Sequence, residues 1–367
     1  MLLVKRILAK LLQLSIGGLI GFASVWPIAH AIKANQLTNP MIYFGLIMGG
    51  YILAFVLAVA WHELGHVLAG LRAGFRFAFM LFWPVQILRK GERSLSIRPM
   101  FKSGLGLGGI AGMAPIPGLD LRKAYLTMLW GGPLASLLWG AVAISIAFLA
   151  GLTSSIPGSY FWLMGIISLF IFVISIIPRS VAGYLTDGAA INLLSRGKPE
   201  QVEIYVAALE LSSEVATGKR PSECNPLPLN ILLRAEPDDQ MFARGRYFGF
   251  LAAADSGDLE KARSYMTELM SGIHKTPILV RASYQVMDAW LHAREGKTEE
   301  ARQLLKISQG GLVEKCDQVM VEAVILAAEG KHDEASVLAK TVPELIAGSM
   351  IPDAHAFTRF QVEGLIH

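Results

Sequence analysis

The sequence predicts a mainly α-helical protein with two domains. Residues 1–198 are expected to form a polytopic membrane bundle of about four transmembrane helices with a small β-hairpin region, and residues 199–367 a cytoplasmic domain of helical repeats. Three observations predict this. The 367 residues are 53% hydrophobic, with a mean hydropathy of +0.47, which is too apolar for an ordinary soluble enzyme. Of the 62 charged side chains, 42 lie in residues 200–367, and a Gly/Ala pattern recurs there.

The transmembrane helices are predicted from apolar segments of about 20 residues, the length that crosses the hydrocarbon core of a bilayer. The first is Leu11 to Ala31, and the second is Met41 to Trp61. No charged residue occurs from Ala124 to Pro178, and the turn residues of Ser154 to Ser159 divide this stretch into two further spans. Four spans are therefore expected.

The distribution of Lys and Arg predicts the orientation of these helices. With the N-terminus in the cytoplasm, the inner segments of the membrane domain contain 15 Lys and Arg, whereas the outer loops contain only Lys33. Both termini and the second domain are therefore expected in the cytoplasm. Ala29-His30-Ala31 resembles a signal-peptidase site, so the alternative is that the first apolar segment is a signal peptide that is cleaved off. However, this segment is longer than the roughly 7 to 15 residues of the apolar region of a signal peptide.

The charge distribution and the cysteine content argue against a nucleic-acid-binding protein and against a disulfide-stabilised one. Residues 1–199 contain 16 basic and four acidic residues, and residues 200–367 contain 25 acidic and 17 basic residues. Basic charge beside apolar spans is typical of contact with the lipid bilayer, and no nucleic-acid partner is expected. Cys224 and Cys316 are the two cysteines, so no disulfide framework is predicted and both are expected to be reduced thiols.

The second predicted span runs into the pattern His62-Glu63-Leu64-Gly65-His66. His62 and His66 are four residues apart, so a helix projects both imidazoles from one face, where they can bind one zinc ion. Glu63 lies beside that face and is expected to take a proton from water that zinc activates for attack on a peptide carbonyl. The alternative is two packed histidines, but three polar groups buried in one turn of a membrane helix are expensive without a ligand.

Three separated motifs within residues 40–195 resemble those of the site-2 protease family of intramembrane zinc metalloproteases. They are Trp61-His62-Glu63-Leu64-Gly65-His66, Gly131-Gly132-Pro133-Leu134-Ala135-Ser136 and Thr186-Asp187-Gly188. The resemblance implies a zinc metalloendopeptidase with one Zn²⁺ per chain, with Glu63 as the catalytic residue. It implies that the metal ligands are His62, His66 and Asp187. It also implies that Pro133 and Ser136 bind the substrate, a transmembrane helix of a membrane protein.

Two departures from the family pattern affect these assignments. Ser136 stands where the family usually has Asn, and a hydroxyl offers a substrate backbone fewer hydrogen bonds than an amide does. Asp187 lies nine residues after Pro178, about four more than is usual in the family, and Arg179 lies between them. The chain has to fold back from the cytoplasmic surface for Asp187 to reach zinc. The alternatives are that Asp187 is a surface turn residue and that Asp120 takes its place.

The loop between the second and third spans predicts a pair of strands. Phe75 to Leu88 and Ser94 to Met100 flank a turn at Lys90-Gly91-Glu92. The family resemblance implies that an exposed strand edge clamps an unwound substrate segment by strand addition. A basic loop that lies on anionic headgroups is the alternative.

A recurring pattern predicts helical hairpins in the second domain. Three glycines each precede an alanine by five residues: Gly257 and Ala262, Gly296 and Ala301, and Gly330 and Ala335. A glycine that ends one helix and a small alanine in the next are typical of a helical array, which here resembles tetratricopeptide repeats. Such arrays bind proteins, so a substrate tail or a regulator is the expected partner. A stabilising helical cap without a partner is the alternative.

Two other functions compete with an intramembrane endopeptidase. A non-catalytic membrane adaptor would keep zinc as a structural ion and act through its helical repeats. A zinc transporter would need ion-binding groups on a path to both faces of the membrane, and His30 and Lys33 are the polar candidates on the outer side. The sequence therefore favours the endopeptidase.

Overall fold

The computed structural model of the chain describes residues 21–23, 25–36, 39–90, 94–100, 108–116, 118–181, 184–276, 278–308, 310 and 313–366. Over these residues the protein is mainly helical with a small antiparallel sheet, as the sequence predicts.

Three helices among the described residues are long and apolar enough to cross a membrane. They are α1 (Pro40–Arg72), α2 (Leu121–Leu149) and α3 (Ile156–Ile176). These helices correspond to three of the four predicted spans. The other predicted span, Leu11 to Ala31, lies largely outside the described residues, and residues 21–23 and 25–31 of it are helical.

The first of these helices, α1, is much longer than a bilayer requires. Its 33 residues extend for about 50 Å, compared with the roughly 30 Å of a hydrocarbon core. At its start, the side-chain oxygen of Asn39 accepts a hydrogen bond from the backbone N–H of Met41, at 2.9 Å. Shortly after its end, Gly74 has a φ of +93°, a conformation that glycine adopts without strain.

The described parts of Met1–His66 and Trp130–Ile177 form one compact unit. Its helices approach closely where side chains are small. A Cβ added to Gly165 would lie only 3.0 Å from the carbonyl oxygen of Gly140. Because lipid provides no hydrophobic force between helices, close van der Waals packing of small residues takes its place.

The second compact unit consists of Val67–Leu129 and Pro178–His367, and it contains the sheet. Its four antiparallel strands are arranged in the order β3-β2-β1-β4. In chain order they are β1 (Phe75–Phe82), β2 (Val85–Lys90), β3 (Ser94–Pro99) and β4 (Gly109–Pro115).

The sheet differs from the predicted strand pair because the segment from Phe75 to Leu88 is not one strand. It turns at Trp83-Pro84, and β1 pairs with β2 around this turn. Pro84 has no backbone N–H to donate to a neighbouring strand, so it favours a break at this place. The predicted pairing across Lys90 to Glu92 is present between β2 and β3, although residues 91–93 lie outside the described residues.

The remaining helices follow in close succession after a two-strand hairpin, β5 (Ser180–Val181) and β6 (Tyr184–Leu185). They are α4 (Asp187–Arg196), α5 (Pro199–Ala216), α6 (Pro226–Leu232), α7 (Phe242–Asp255), α8 (Leu259–Ser271), α9 (Ile278–Arg294), α10 (Thr298–Ile307), α11 (Lys315–Ala328), α12 (His332–Ala339), α13 (Val342–Ala347) and α14 (Ala356–Glu363). Short 3₁₀ turns cover Pro221–Glu223, Ile273–Lys275 and Pro352–His355. The core between these helices centres on Trp290, which contacts Phe250 and Phe357 edge to face.

The helix pairs α7–α8, α9–α10 and α11–α12 share one kind of turn. Their glycines have a positive φ: +83° at Gly257, +77° at Gly296 and +79° at Gly330. Only glycine adopts this conformation without strain. The alanines five residues later are at most 1% exposed: Ala262, Ala301 and Ala335. Each pair therefore turns at a glycine and packs on a buried alanine.

Two arginines connect neighbouring helix pairs. Arg263 donates to Glu295 and Arg302 donates to Glu329, both at 2.7 Å, and each glutamate directly precedes the glycine of the next turn. The hydrogen bond from Arg263 lowers the pKa of Glu295 from 4.5 to about 2, and Arg302 has the same effect on Glu329. Because these pKa values are depressed in the folded state, their contribution to stability is present above about pH 4.5 and is lost as the pH falls towards 2.

Replacement of Gly296 by alanine tests the role of the positive φ. The variant is expected to destabilise the α9–α10 pair by about 1 kcal/mol, because an alanine at φ +77° is strained. Hydrogen exchange of the full chain in detergent should then show about fivefold faster exchange of α9 and α10 amides. Gly272→Ala, at a φ of −102° and with an open side-chain position, should leave exchange unchanged. Equal exchange in both variants would contradict the prediction.

Candidate metal centre

Three ionisable residues of α1 face the protein interior, whereas several of its large apolar residues face outwards. His62, Glu63 and His66 are only 6–7% exposed, whereas Leu53 is 59% and Leu57 is 43% exposed. A helix of a soluble protein has the opposite arrangement. Polar groups that point inwards from an apolar helix are typical of a functional site in a membrane protein.

The two imidazoles are close enough to bind one ion. Their Nε2 atoms lie 3.2 Å apart, with ring centroids 4.9 Å apart and ring planes at 83°. Two nitrogens on one tetrahedral zinc ion, each bonded at about 2.0–2.1 Å, are separated by about 3.3 Å. The arrangement of His62 and His66 therefore fits two ligands of a single zinc ion.

The second nitrogen of each imidazole contacts α2. Nδ1 of His62 lies 2.9 Å from the hydroxyl oxygen of Ser136, which is fully buried. Nδ1 of His66 lies 3.4 Å from the backbone nitrogen of Gly132. A partner on the second nitrogen fixes the orientation of a metal-binding imidazole, so Ser136 is in place to orient His62. The predicted role of Ser136 in substrate binding stays a prediction.

Small residues let α1 and α2 approach at this place. A Cβ added to Gly65 would overlap the side chain of Ala135 and the backbone of Gly131. A Cβ added to Gly132 would overlap the imidazole of His66. The glycines of both motifs therefore provide the space in which the histidines lie.

Pro133 is buried inside α2, next to this contact. Because proline has no backbone N–H, it cannot donate the usual helical hydrogen bond to the carbonyl oxygen of Leu129. The helix is thus weakened one turn before Pro133. Its predicted contact with a substrate stays a prediction.

The long connection before Asp187 contains the β5–β6 hairpin. The backbone N–H and the hydroxyl of Thr186 both donate to the carbonyl oxygen of Arg179, at 3.0 and 3.2 Å. The described residues between Arg179 and Thr186 therefore pair with one another. Asp187 is the first residue of α4, which Thr186 caps, and it is partly buried.

Two groups of residues among those described could hold a metal ion. One is His62, His66 and Asp187, the ligand set that the sequence resemblance implies. Two imidazoles and one carboxylate suit zinc and leave its fourth position for water or substrate. Asp120, the alternative ligand, is in neither group, and its side chain accepts a hydrogen bond from the backbone N–H of Lys123 at the start of α2.

The other group is Cys316, Asp317 and His355, which was not among the residues predicted from the sequence. Burial and the charges of Asp317 and Glu314 raise the pKa of the Cys316 thiol. Burial opposes protonation of His355, but the hydrogen bond and charge of Asp317 outweigh it, so the pKa of His355 is raised. No spacing motif signals this group, because His355 is 38 residues from Asp317 and reaches it only in the folded chain.

Comparison of the chain with models of protein families, with curated proteins and with solved structures found no match.

Replacement of Gly132 by alanine tests the packing at His66. The added methyl group would occupy the space of the imidazole, so zinc binding by the purified protein should weaken at least about tenfold in competition with a chelating dye. Gly49→Ala is the matched control in α1, because nothing lies within 4 Å of its added Cβ. Wild-type affinity in the Gly132 variant would show that this contact does not position His66.

Replacement of Ser136 by alanine separates two roles of its hydroxyl. If Ser136 orients His62, zinc affinity should fall by about 10- to 100-fold. Ser145→Ala in the same helix should have no effect, because Ser145 donates to the carbonyl oxygen of Ala141 within α2. Unchanged zinc affinity with a higher KM would mean that Ser136 contacts only the substrate.

Proposed function

We propose that this protein is an intramembrane zinc metalloendopeptidase of the site-2 protease type. It hydrolyses a peptide bond in a transmembrane segment of a membrane-protein substrate. The observation that carries the proposal is the burial of His62, Glu63 and His66 in one turn of an apolar helix, with the two Nε2 atoms 3.2 Å apart. The three sequence motifs that resemble this family support the same reaction.

In this proposal, His62, His66 and Asp187 would hold the zinc ion. When bound, zinc supplies Lewis-acid chemistry, because it acidifies water to a pKa of about 7 and polarises a carbonyl oxygen. Glu63 accepts a proton from the attacking water and passes it to the amine that leaves when the C–N bond breaks. The products are a carboxylate and an amine, as peptide hydrolysis requires.

The substrate has to unwind before it is cut. In a transmembrane helix every peptide carbonyl is engaged in a helical hydrogen bond and is shielded from water. Pro133 and Ser136 are proposed to bind the opened segment. β3 is an edge strand, and its Leu95 and Ile97 are 62% and 70% exposed, so an extended substrate segment is proposed to add to it.

The proposal includes a topology and a role for the C-terminal helices. Leu11 to Ala31 is the fourth span, and both termini lie in the cytoplasm, in agreement with the excess of Lys and Arg in the inner segments. The α7–α12 helices form an array similar to tetratricopeptide repeats that recruits a substrate tail or a regulator. Their shared glycine turns and buried alanines support a repeat.

Replacement of Glu63 by glutamine tests catalysis without removing a ligand. The full-length protein would be reconstituted in liposomes with doubly tagged single-span substrates, whose transmembrane segments differ in their helix-breaking residues. Wild type should cut within the span, and Glu63→Gln should keep one intramembrane zinc per chain while cleavage falls by about 100- to 10,000-fold. Metal content is measured by mass spectrometry.

Three variants serve as controls for this experiment. His66→Ala and Asp187→Ala should hold one zinc ion fewer per chain than wild type and should lose cleavage, and exposed Glu200→Gln should match wild type in both measurements. Equal cleavage by wild type and Glu63→Gln would refute the proposal. Zinc-loaded wild type that cuts none of the substrates would favour the adaptor instead.

A further inference from the structure

A cysteine, an aspartate and a histidine meet near the C-terminus of the chain. Cys316 and Asp317 lie at the start of α11, and His355 ends the turn at Pro352–His355. The sulfur of Cys316 is 3.5 Å from Nδ1 and 3.7 Å from Nε2 of His355. Oδ1 of Asp317 is 3.2 Å from Nδ1 of His355 and 4.0 Å from the sulfur. The three donor groups therefore share one small volume.

These separations suit the ligands of a tetrahedral zinc ion. With Zn–S at about 2.3 Å and Zn–N or Zn–O at about 2.0 Å, sulfur and nitrogen are about 3.5 Å apart, and nitrogen and oxygen about 3.3 Å apart. The observed 3.5 Å and 3.2 Å agree with these values. The sulfur–oxygen separation is about 0.5 Å too long, which a small rotation of the Asp317 side chain corrects.

The surrounding charge favours a cation. The charges of two carboxylates, Asp317 and Glu314, act on the thiol of Cys316. This thiol is buried, since Cys316 is only 1% exposed. His355 and the charge of Arg359 are the cationic groups that act on the cluster. Loss of the thiol proton would add a third negative charge, which a divalent ion would offset.

We propose that Cys316, Asp317 and His355 bind a second zinc ion, which is structural and separate from the proposed catalytic one. A thiolate and an imidazole select zinc over magnesium and calcium, which prefer oxygen ligands. On binding, the thiol and any imidazolium release their protons to solvent, so Zn–S and Zn–N bonds replace S–H and N–H bonds. Water takes the fourth position.

The ion would fix the end of the helical array. His355 directly precedes α14, and Thr358 in α14 donates to Oδ1 of Asp317 at 2.6 Å. A link between Cys316 and His355 closes a loop that spans 39 residue positions. The zinc ion would thus hold α14 against α11, where a terminal helix covers the last repeat.

The same residues also allow an arrangement without metal. Asp317 accepts from Thr358 and lies within hydrogen-bond distance of His355, and this network could hold α14 by itself. The two arrangements differ in the role of the Cys316 sulfur, because a metal site needs its thiolate as a ligand and the hydrogen-bond network does not. A signal that reports sulfur–metal bonding therefore distinguishes them.

Cobalt titration of the full-length, metal-free protein in detergent gives that signal. Two equivalents of Co²⁺, enough to fill both proposed sites, should produce the near-ultraviolet charge-transfer band of a thiolate–cobalt bond, and excess zinc should abolish it. Cys316→Ser should lose the band. Cys224→Ser should keep it, because the sulfur of Cys224 lies 3.5 Å from the carbonyl oxygen of Arg220 and belongs to neither metal-binding group. The ligands of the proposed catalytic site include no sulfur, so metal binding at that site does not contribute to the band.

A second measurement covers the case in which Cys316→Ser does not fold. In wild type, zinc should slow hydrogen exchange of α14 amides at least tenfold, and in His355→Gln, which keeps a polar side chain of similar size, it should not. Absence of the cobalt band from folded wild type, or a zinc effect on α14 that persists in His355→Gln, would overturn the proposal. A band that disappears in Cys224→Ser and remains in Cys316→Ser would do the same.

Discussion

The structure around the candidate metal centre depends on the cost of burying ionisable groups in an apolar helix bundle. An unpaired charged side chain at the centre of a bilayer costs about 3 kcal/mol, and α1 buries three ionisable groups within one turn. This cost is offset when His62, Glu63 and His66 face inwards and the imidazoles share an ion. The same constraint explains why large apolar side chains such as Leu53 and Leu57 lie on the exposed side of the helix.

The same small residues allow α1 and α2 to pack closely and make space for the imidazoles. Gly65 and Gly132 let α1 and α2 approach within the distance at which Ser136 can reach His62. A larger residue at Gly65 would separate the helices, and a larger residue at Gly132 would displace the imidazole of His66. The motif around Pro133 is therefore both an element of close helix packing and a support for the imidazoles of His62 and His66, so these two interpretations of its sequence are compatible.

Local signals in the sequence predicted most of the fold, and long-range contacts account for the rest. Apolar runs predict α1 to α3, and the proximity of His62 to His66 follows from helical geometry alone. In contrast, the contact between His62 and Ser136 joins residues 74 positions apart, and the contact between Cys316 and His355 joins residues 39 positions apart. No residue pattern signals either of them. The hairpin before α4 consists of two-residue strands, which are too short to show a period.

Zinc K-edge X-ray absorption of the full-length protein tests whether His62 and His66 share one zinc ion. The Cys316→Ser/His355→Ala variant should be used, so that zinc at the second group does not contribute. If the two imidazoles share the ion, the spectrum should show a shell of nitrogen and oxygen atoms at about 2.0–2.1 Å, with the outer-shell scattering of two imidazoles. A protein without zinc, or a zinc shell without imidazole scattering, would contradict it.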